Sequence, residues 1–374
     1  MLFESQTPIL VASNMVLLTI IYYSLQPAYY QLEKNPPART YLGIFCIFLF
    51  VMFSFWILDW FGYQTTYYQI RESEFFRTRT HLETVYVWIA MISPDYLIFR
   101  LIVFGGAFLF VYLIFKHLEV DQDLVWFFFG VLFLPLFAYA RVSLAVVIMF
   151  YGAVLICKPF PYRKSLSYLL GVFFIIVSVF FHKSAALGTL VVVFSLISPN
   201  ANKNAWFYLL VGFVVAVVVM RIAVELVLGG ALSGDEDMSS MGQHYLGQQS
   251  SGQTGLGSIV AYTVEWTPYY MVAYLSFLIQ SEYEVPKHIE FVLKFDMYLV
   301  LMASIFGVDV GANTSLMHLR LLRFSLVPNA IVLAYAYQYG LFNKYVRIVF
   351  FLGLLCVIYR LTYTLYNSLV MNQA

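Results

Sequence analysis

Charge is what this 374-residue chain has least of: Asp, Glu, Lys and Arg make up 11% of it, against 62% hydrophobic residues. A water-soluble domain of this length needs a far more polar surface, so lipid is the expected solvent for most of the chain. The net charge of +1 excludes the basic field that nucleic-acid binding requires. Cysteine is scarce too. Cys46, Cys157 and Cys356 lie far apart inside apolar runs, which argues against a disulfide framework and against a cysteine metal site. No serine-nucleophile motif, GxGxxG, P-loop or HExxH occurs, and nothing has metal-ligand spacing, so neither a metal nor a cofactor is expected. The opening MLFESQTPIL lacks the basic stretch of a cleavable signal peptide, so residues 9–29 are expected to remain as a membrane helix.

What is present is a succession of apolar runs, near 9–28, 41–59, 96–116, 124–139, 142–157, 165–181, 184–198, 205–228, 258–280, 289–307, 316–337 and 345–368. These predict about 12 transmembrane helices, because the bilayer core offers backbone polar groups no partners outside the helix. A β-barrel would alternate in segments of roughly ten residues, and runs such as VLLTIIYY do not. No internal repeat is visible. The expected fold is one all-α polytopic domain over 1–374. Two segments are expected outside the bilayer: 60–95, in which Glu83–Ile92 can form a helix lying on the membrane, and 229–257, a flexible stretch rich in Gly, Ser and Gln.

Loop charge orients the spans. One set of loops holds ten basic residues (Lys34, Arg39, Lys116, Lys158, Arg163, Lys164, Lys203, Lys287, Lys344, Arg347). The other holds seven, Arg71, Arg77, Arg79, Arg141, Lys183, Arg320 and Arg323, together with the acidic 235–237. The first set is expected to be cytoplasmic and both termini outside.

The four spans from 124–139 to 184–198 read as 15–17 residues each, or about 23–26 Å of helix against a hydrocarbon core of roughly 30 Å. Their connecting turns cannot all reach the bilayer surface. Arg141 and the pair His182–Lys183 occupy the two outer turns, so the spacing predicts a recess in the outer half of the membrane. Taken alone, His182–Lys183 is either a plain interfacial turn or a site that binds something charged.

Arg221, Glu225 and Arg360 also lie in the outer halves of spans, and Arg320 and Arg323 share one helix face. Each intramembrane Arg costs about 2.5–3.5 kcal/mol on insertion scales, which makes a cluster of them a functional expectation. A single one can equally be structural or snorkelling. Arg matches phosphate oxygens as a planar fork, so a lipid-borne diphosphate fits a cationic recess of this kind. Tyr63, Tyr67, Tyr68, Tyr86, Tyr245 and Tyr262 could stack on sugar faces, although tyrosine is common at interfaces in any case. Asp59 and Glu83 are candidate bases or sugar ligands, and either can also be an ordinary loop acid.

The run ARVSLAVVIMFYGAVLI, a basic turn and then FFHKSAALGTLVVVF resembles the EpsG family of Wzy-type polysaccharide polymerases. Asp59 followed by Tyr63 and Tyr67, then Glu83 and Tyr86, is similar to the family's Asp-x-x-x-Tyr segment and the acidic stretch after it. RLLRFSLVPNAIVLAYA resembles its late Arg-bearing helix. The likeness spans roughly 50–340. Ile57-Leu58 stands where the family has Gly-Thr, Val142 where Gln often follows the Arg, and Glu83-Thr84-Val85 where Glu-Pro-Gly is usual.

The resemblance implies a bacterial inner-membrane enzyme, GT-C-like, with its active site facing the periplasm. It would transfer a growing O-antigen or exopolysaccharide glycan from undecaprenyl diphosphate to the non-reducing end of a lipid-linked repeat unit, without a metal. In that reading Arg141, Arg320, Arg323 and Lys183 hold the diphosphate, and His182, Asp59 or Glu83 supplies catalysis. Tyr63, Tyr67 and Tyr245 contact sugar, and a chain-length regulator and a flippase are the expected partners. The alternatives are a lipid-glycan ligase, another GT-C transferase, or a flippase or exporter of lipid-linked sugars.

Overall fold

The computed structural model describes residues 7–26, 37–52, 59–73, 84–134, 140–182, 184–197, 256–307 and 321–371. Among them there is helix and no strand. In chain order the helices are α1 Thr7–Leu25, α2 Pro37–Met52, α3 Asp59–Glu72, α4 Thr84–Ile92, α5 Tyr96–Leu118, α6 Gln122–Phe133, α7 Ala140–Cys157, α8 Lys164–Phe181 and α9 Ala185–Ile197. Then follow α10 Leu256–Glu282, α11 Lys287–Gly307, α12 Leu326–Gln338 and α13 Asn343–Met371. A 3-10 turn, Arg323–Ser325, leads into α12. The expected spans at 205–228 and the segment 229–257 up to residue 255 lie outside the described residues, with Arg221, Glu225 and Tyr245.

Local sequence explains where the helices begin. Asp95 caps α5 by accepting the Ile98 N–H at 2.9 Å, and Asp121 caps α6 by accepting that of Leu124 at 3.0 Å. α5 and α6 each contain a five-residue π-helical stretch, Leu101–Gly105 and Phe129–Phe133.

Burial sorts the helices into an inner and an outer group. Residues 142–155 of α7 are buried on every side, as are 124–134 along α6 and 324–336 along the 3-10 turn and α12. A helix that is apolar all round belongs in the interior, and these three form the centre. α8 is different. Its Leu166, Leu169, Val172, Phe173, Ile176 and Phe180 are exposed at a three-to-four-residue spacing, an apolar stripe suited to lipid. Among the described residues, α5 and α8 are long and apolar enough to cross a bilayer.

α7 and α8 both have 18 residues, about 27 Å of helix, which is longer than the 15–17 residues read from the apolar runs. The shortness argument holds for α9, at 13 residues. Charged residues near the ends (Arg141, Lys164) lie within the helices, which continue past the hydropathy boundary. Residues 60–72, read as part of a long outer segment, are helical and continue from Asp59.

Candidate functional site

α8 stops at Phe181. His182 follows in extended backbone (φ −160°, ψ 124°), with its N–H still donating to the Ser178 carbonyl at 3.1 Å. The chain is helical again three residues later: the Ala185 N–H donates to the His182 carbonyl at 2.9 Å, and Leu187 N–H to the Ser184 carbonyl at 3.1 Å. This tight joint folds Ser184 back against the imidazole. Its N–H donates to His182 Nδ1 at 3.2 Å, and its hydroxyl oxygen lies 2.6 Å from the same nitrogen. A backbone N–H can only donate, so Nδ1 presents a lone pair. The neutral ring then carries its proton on Nε2, a tautomer assigned from the bonding network. His182 is 6% exposed, and Ser184 is buried with it. Lys183 lies outside the described residues.

Glycine places this joint. A Cβ on Gly188, one turn into α9, would sit 2.7 Å from Met149 Sδ of α7 and 2.9 Å from a ring carbon of Phe324 in the 3-10 turn. With hydrogen there, α9 docks against both. α7 also packs on the 3-10 turn, which carries a half-buried Arg323. The contacts at Gly188 thus set the start of α9 and the 3-10 turn that carries Arg323 against α7, whose second residue is Arg141. The side chain of Arg141 and all of Arg320 lie outside the described residues. Ser143, Ser325 and Asn329 are buried in the same helices and were not legible as site residues, each being a lone polar residue in an apolar run.

A second polar group joins α3, α4 and α5. Tyr67 O–H donates to the Ser93 carbonyl at 2.8 Å, and Arg71 donates to both the Tyr67 hydroxyl (2.8 Å) and the Ser93 carbonyl. The Tyr67 ring is 1% exposed and packs on Tyr96 and Phe99, at centroid distances of 5.6 and 5.5 Å. This corrects the expectation of a sugar-stacking face: the ring is enclosed by other rings, and so is Tyr86 against Phe99. Tyr68 is exposed. The side chains of Asp59, Tyr63 and Tyr262, with Glu83 entirely, lie outside the described residues.

Arg100 is the intramembrane cation that the apolar run 96–116 concealed. It is 2% exposed, donates to the carbonyls of Met52 (3.1 Å) and Val51 (3.2 Å), and sits 4.1 Å above the Phe104 ring. It therefore satisfies the last carbonyls of α2, which no intrahelical N–H can reach.

The opposite end of the bundle carries its own charges. Lys158 pairs with Glu119 at 2.9 Å, and Thr40 O–H donates to Asp123 at 2.7 Å. The lysine, through its hydrogen bond and then its charge, holds the Glu119 carboxyl below the usual range. Burial raises Asp123 despite the Thr40 hydrogen bond, while burial and then the Lys158 charge lower His288. Deeper in, Lys294 pairs with Glu290, and Ser276 O–H donates to Asp296 at 3.1 Å.

Comparison with known proteins adds one match. The family described as EpsG covers residues 39–373, nearly the whole chain. No curated protein and no solved structure matches it.

Proposed function

The chain belongs to the EpsG family, a polysaccharide-polymerase-like family of membrane proteins, and from that premise we propose that it polymerises lipid-linked repeat units at the His182 end of the bundle. The donor is a glycan on undecaprenyl diphosphate, and the acceptor is a hydroxyl at the non-reducing end of a second lipid-linked unit, of O-antigen or exopolysaccharide type. The acceptor oxygen attacks the anomeric carbon as the bond from that carbon to the diphosphate breaks. The diphosphate leaves on its polyprenol, and a carboxylate takes the acceptor proton. All twelve expected spans, the bacterial inner membrane and a periplasm-facing site belong to this reading.

The observation that carries it is the Ser184 contact to His182 Nδ1. With Nδ1 accepting, Nε2 is a donor, so His182 suits the leaving diphosphate better than it suits proton abstraction. Arg323, Arg141, Arg320 and Lys183 supply the remaining positive charge, whose value grows as negative charge develops on the leaving group. The base is then Asp59 or Glu83, and no metal takes part. Tyr63 and Tyr245 remain the candidate sugar contacts. A chain-length regulator and a flippase are the partners this reaction needs.

The test is a deletion strain complemented with wild-type protein, its surface glycan resolved on a gel. A single-repeat band that complementation restores to a ladder supports polymerisation. Complete loss of capped glycan would instead indicate a ligase or a flippase.

A further inference from the structure

A cavity of about 590 Å³ opens beside the start of α13, lined by Asn343, Lys344, Arg347, Ile348, Phe351 and Leu352. It lies far along the chain from the His182 turn, at the bundle end where the Gln338 side chain accepts the Asp121 N–H at 3.4 Å. Lys344, Arg347, Ile348 and Phe351 are spaced three, four and seven apart, so they share one helix face. Polarity changes along that face. Asn343, Lys344 and Arg347 fall within its first five residues, and the apolar residues continue for about 8 Å towards the middle of the helix.

Two further observations separate this groove from an ordinary solvated helix face. No carboxylate lines it, and among the described residues neither Lys344 nor Arg347 forms an ion pair. The apolar part is open: Phe351 is 61% exposed, with Ile348 exposed one turn before it. A ligand matching both halves carries an anionic head and a hydrocarbon tail in register along the helix. We infer that the groove is a binding site for an anionic phospholipid, whose phosphate meets Lys344 and Arg347 while an acyl chain lies along Ile348 and Phe351. Charge complementarity selects the head, because a zwitterionic lipid would bring a further cation to two that have no counter-ion among the described residues. The inference rests on the membrane-spanning bundle and not on the polymerase reading, and polymer length is not its readout.

The experiment is native mass spectrometry of the full chain in neutral detergent, titrated with phosphatidylglycerol or with phosphatidylcholine of the same acyl chains. Wild-type protein is expected to hold phosphatidylglycerol about tenfold more tightly. Lys344→Gln with Arg347→Gln removes the preference; Lys344→Arg with Arg347→Lys keeps it and controls for folding. Glycerol 3-phosphate, the head without the tail, fails to displace the lipid. Equal binding of the two lipids by wild type, an unchanged preference in the glutamine double variant, or displacement by glycerol 3-phosphate would each overturn the site.

Discussion

Gly152 of α7 and Gly171 of α8 face each other so closely that a Cβ on either would lie 2.6–2.7 Å from the other's carbonyl oxygen. No side-chain rotation relieves such a clash, because the obstacle is backbone on both sides. Small residues at a crossing are how membrane helices approach without a hydrophobic driving force between them.

Gly171→Ala is therefore expected to push α8 outward, and Gly171→Leu to separate the pair. Thermal stability in detergent should fall in the order wild type, Ala, Leu, by about 1–3 kcal/mol for the alanine. An unchanged melting temperature for Gly171→Leu would contradict the described crossing.

His182→Gln is expected to retain much of the polymer-forming activity, because its amide can still donate a hydrogen bond to phosphate. His182→Ala loses that donor, at a cost of about 10²–10³ in turnover for a transition-state hydrogen bond. Turnover of lipid-linked repeat units by purified protein, normalised to folded protein, is the measurement. A glutamine variant as inactive as the alanine one would return His182 to the role of base.

Gly188→Ala tests how the turn is placed. Met149 and Phe324 must both move to admit a methyl group, so α9 shifts away from the 3-10 turn that carries Arg323. The expected result is an inserted protein with activity lowered several-fold. Gly188→Ala together with Met149→Ala should recover part of it. Additive losses in the double variant would show that the contact is not what positions the turn.

The sign of the pH response follows from His288. Its pKa lies below the usual histidine value in the folded protein, so the unfolded chain binds the proton more readily. That contribution to stability is complete above the unfolded value of about 6.5 and is lost as pH falls through it toward the folded value. Glu119, also depressed, acts in the same direction only at lower pH, and weakly, because it is 78% exposed. Denaturation midpoints between about pH 7 and pH 5 should slope less in His288→Gln than in wild type. Equal slopes would assign the dependence to other groups.

Orientation has a direct test. A cysteine at Lys183, beside His182, or at Tyr245 should react with a membrane-impermeant thiol reagent from the periplasm, and one at Ser165 should not. The opposite pattern would invert the bundle and place the His182 turn in the cytoplasm.

The sequence carried the helices whose evidence is local. α8 runs Lys164–Phe181 where the apolar run covers 165–181, and α11 runs Lys287–Gly307 where it covers 289–307. Relationships that depend on tertiary contact were hidden. α3 has no apolar run, and it is anchored where Tyr67 and Ile70 are buried. Arg100 disappears into the hydropathy of its span because what keeps it there is the end of another helix, 48 residues earlier. Tyr67 looked like an interfacial aromatic, since composition cannot say whether a ring faces sugar or other rings. The His182 turn could be singled out from its charges. The bonding that fixes its proton could not, because hydrogen-bond direction depends on backbone geometry.

The contact from Ser184 to Nδ1 closes over two residues of one chain segment. Its integrity does not depend on how α7, α12 and the rest of the bundle are arranged at any moment. Rocking of the central helices as a bulky lipid-linked glycan enters or leaves would move the imidazole as a unit with its own hydrogen-bonding, like a tool carried with its setting locked. A short segment of this kind is portable: grafted between two helices of another membrane protein, it should bring a histidine with its Nε2 proton already in place.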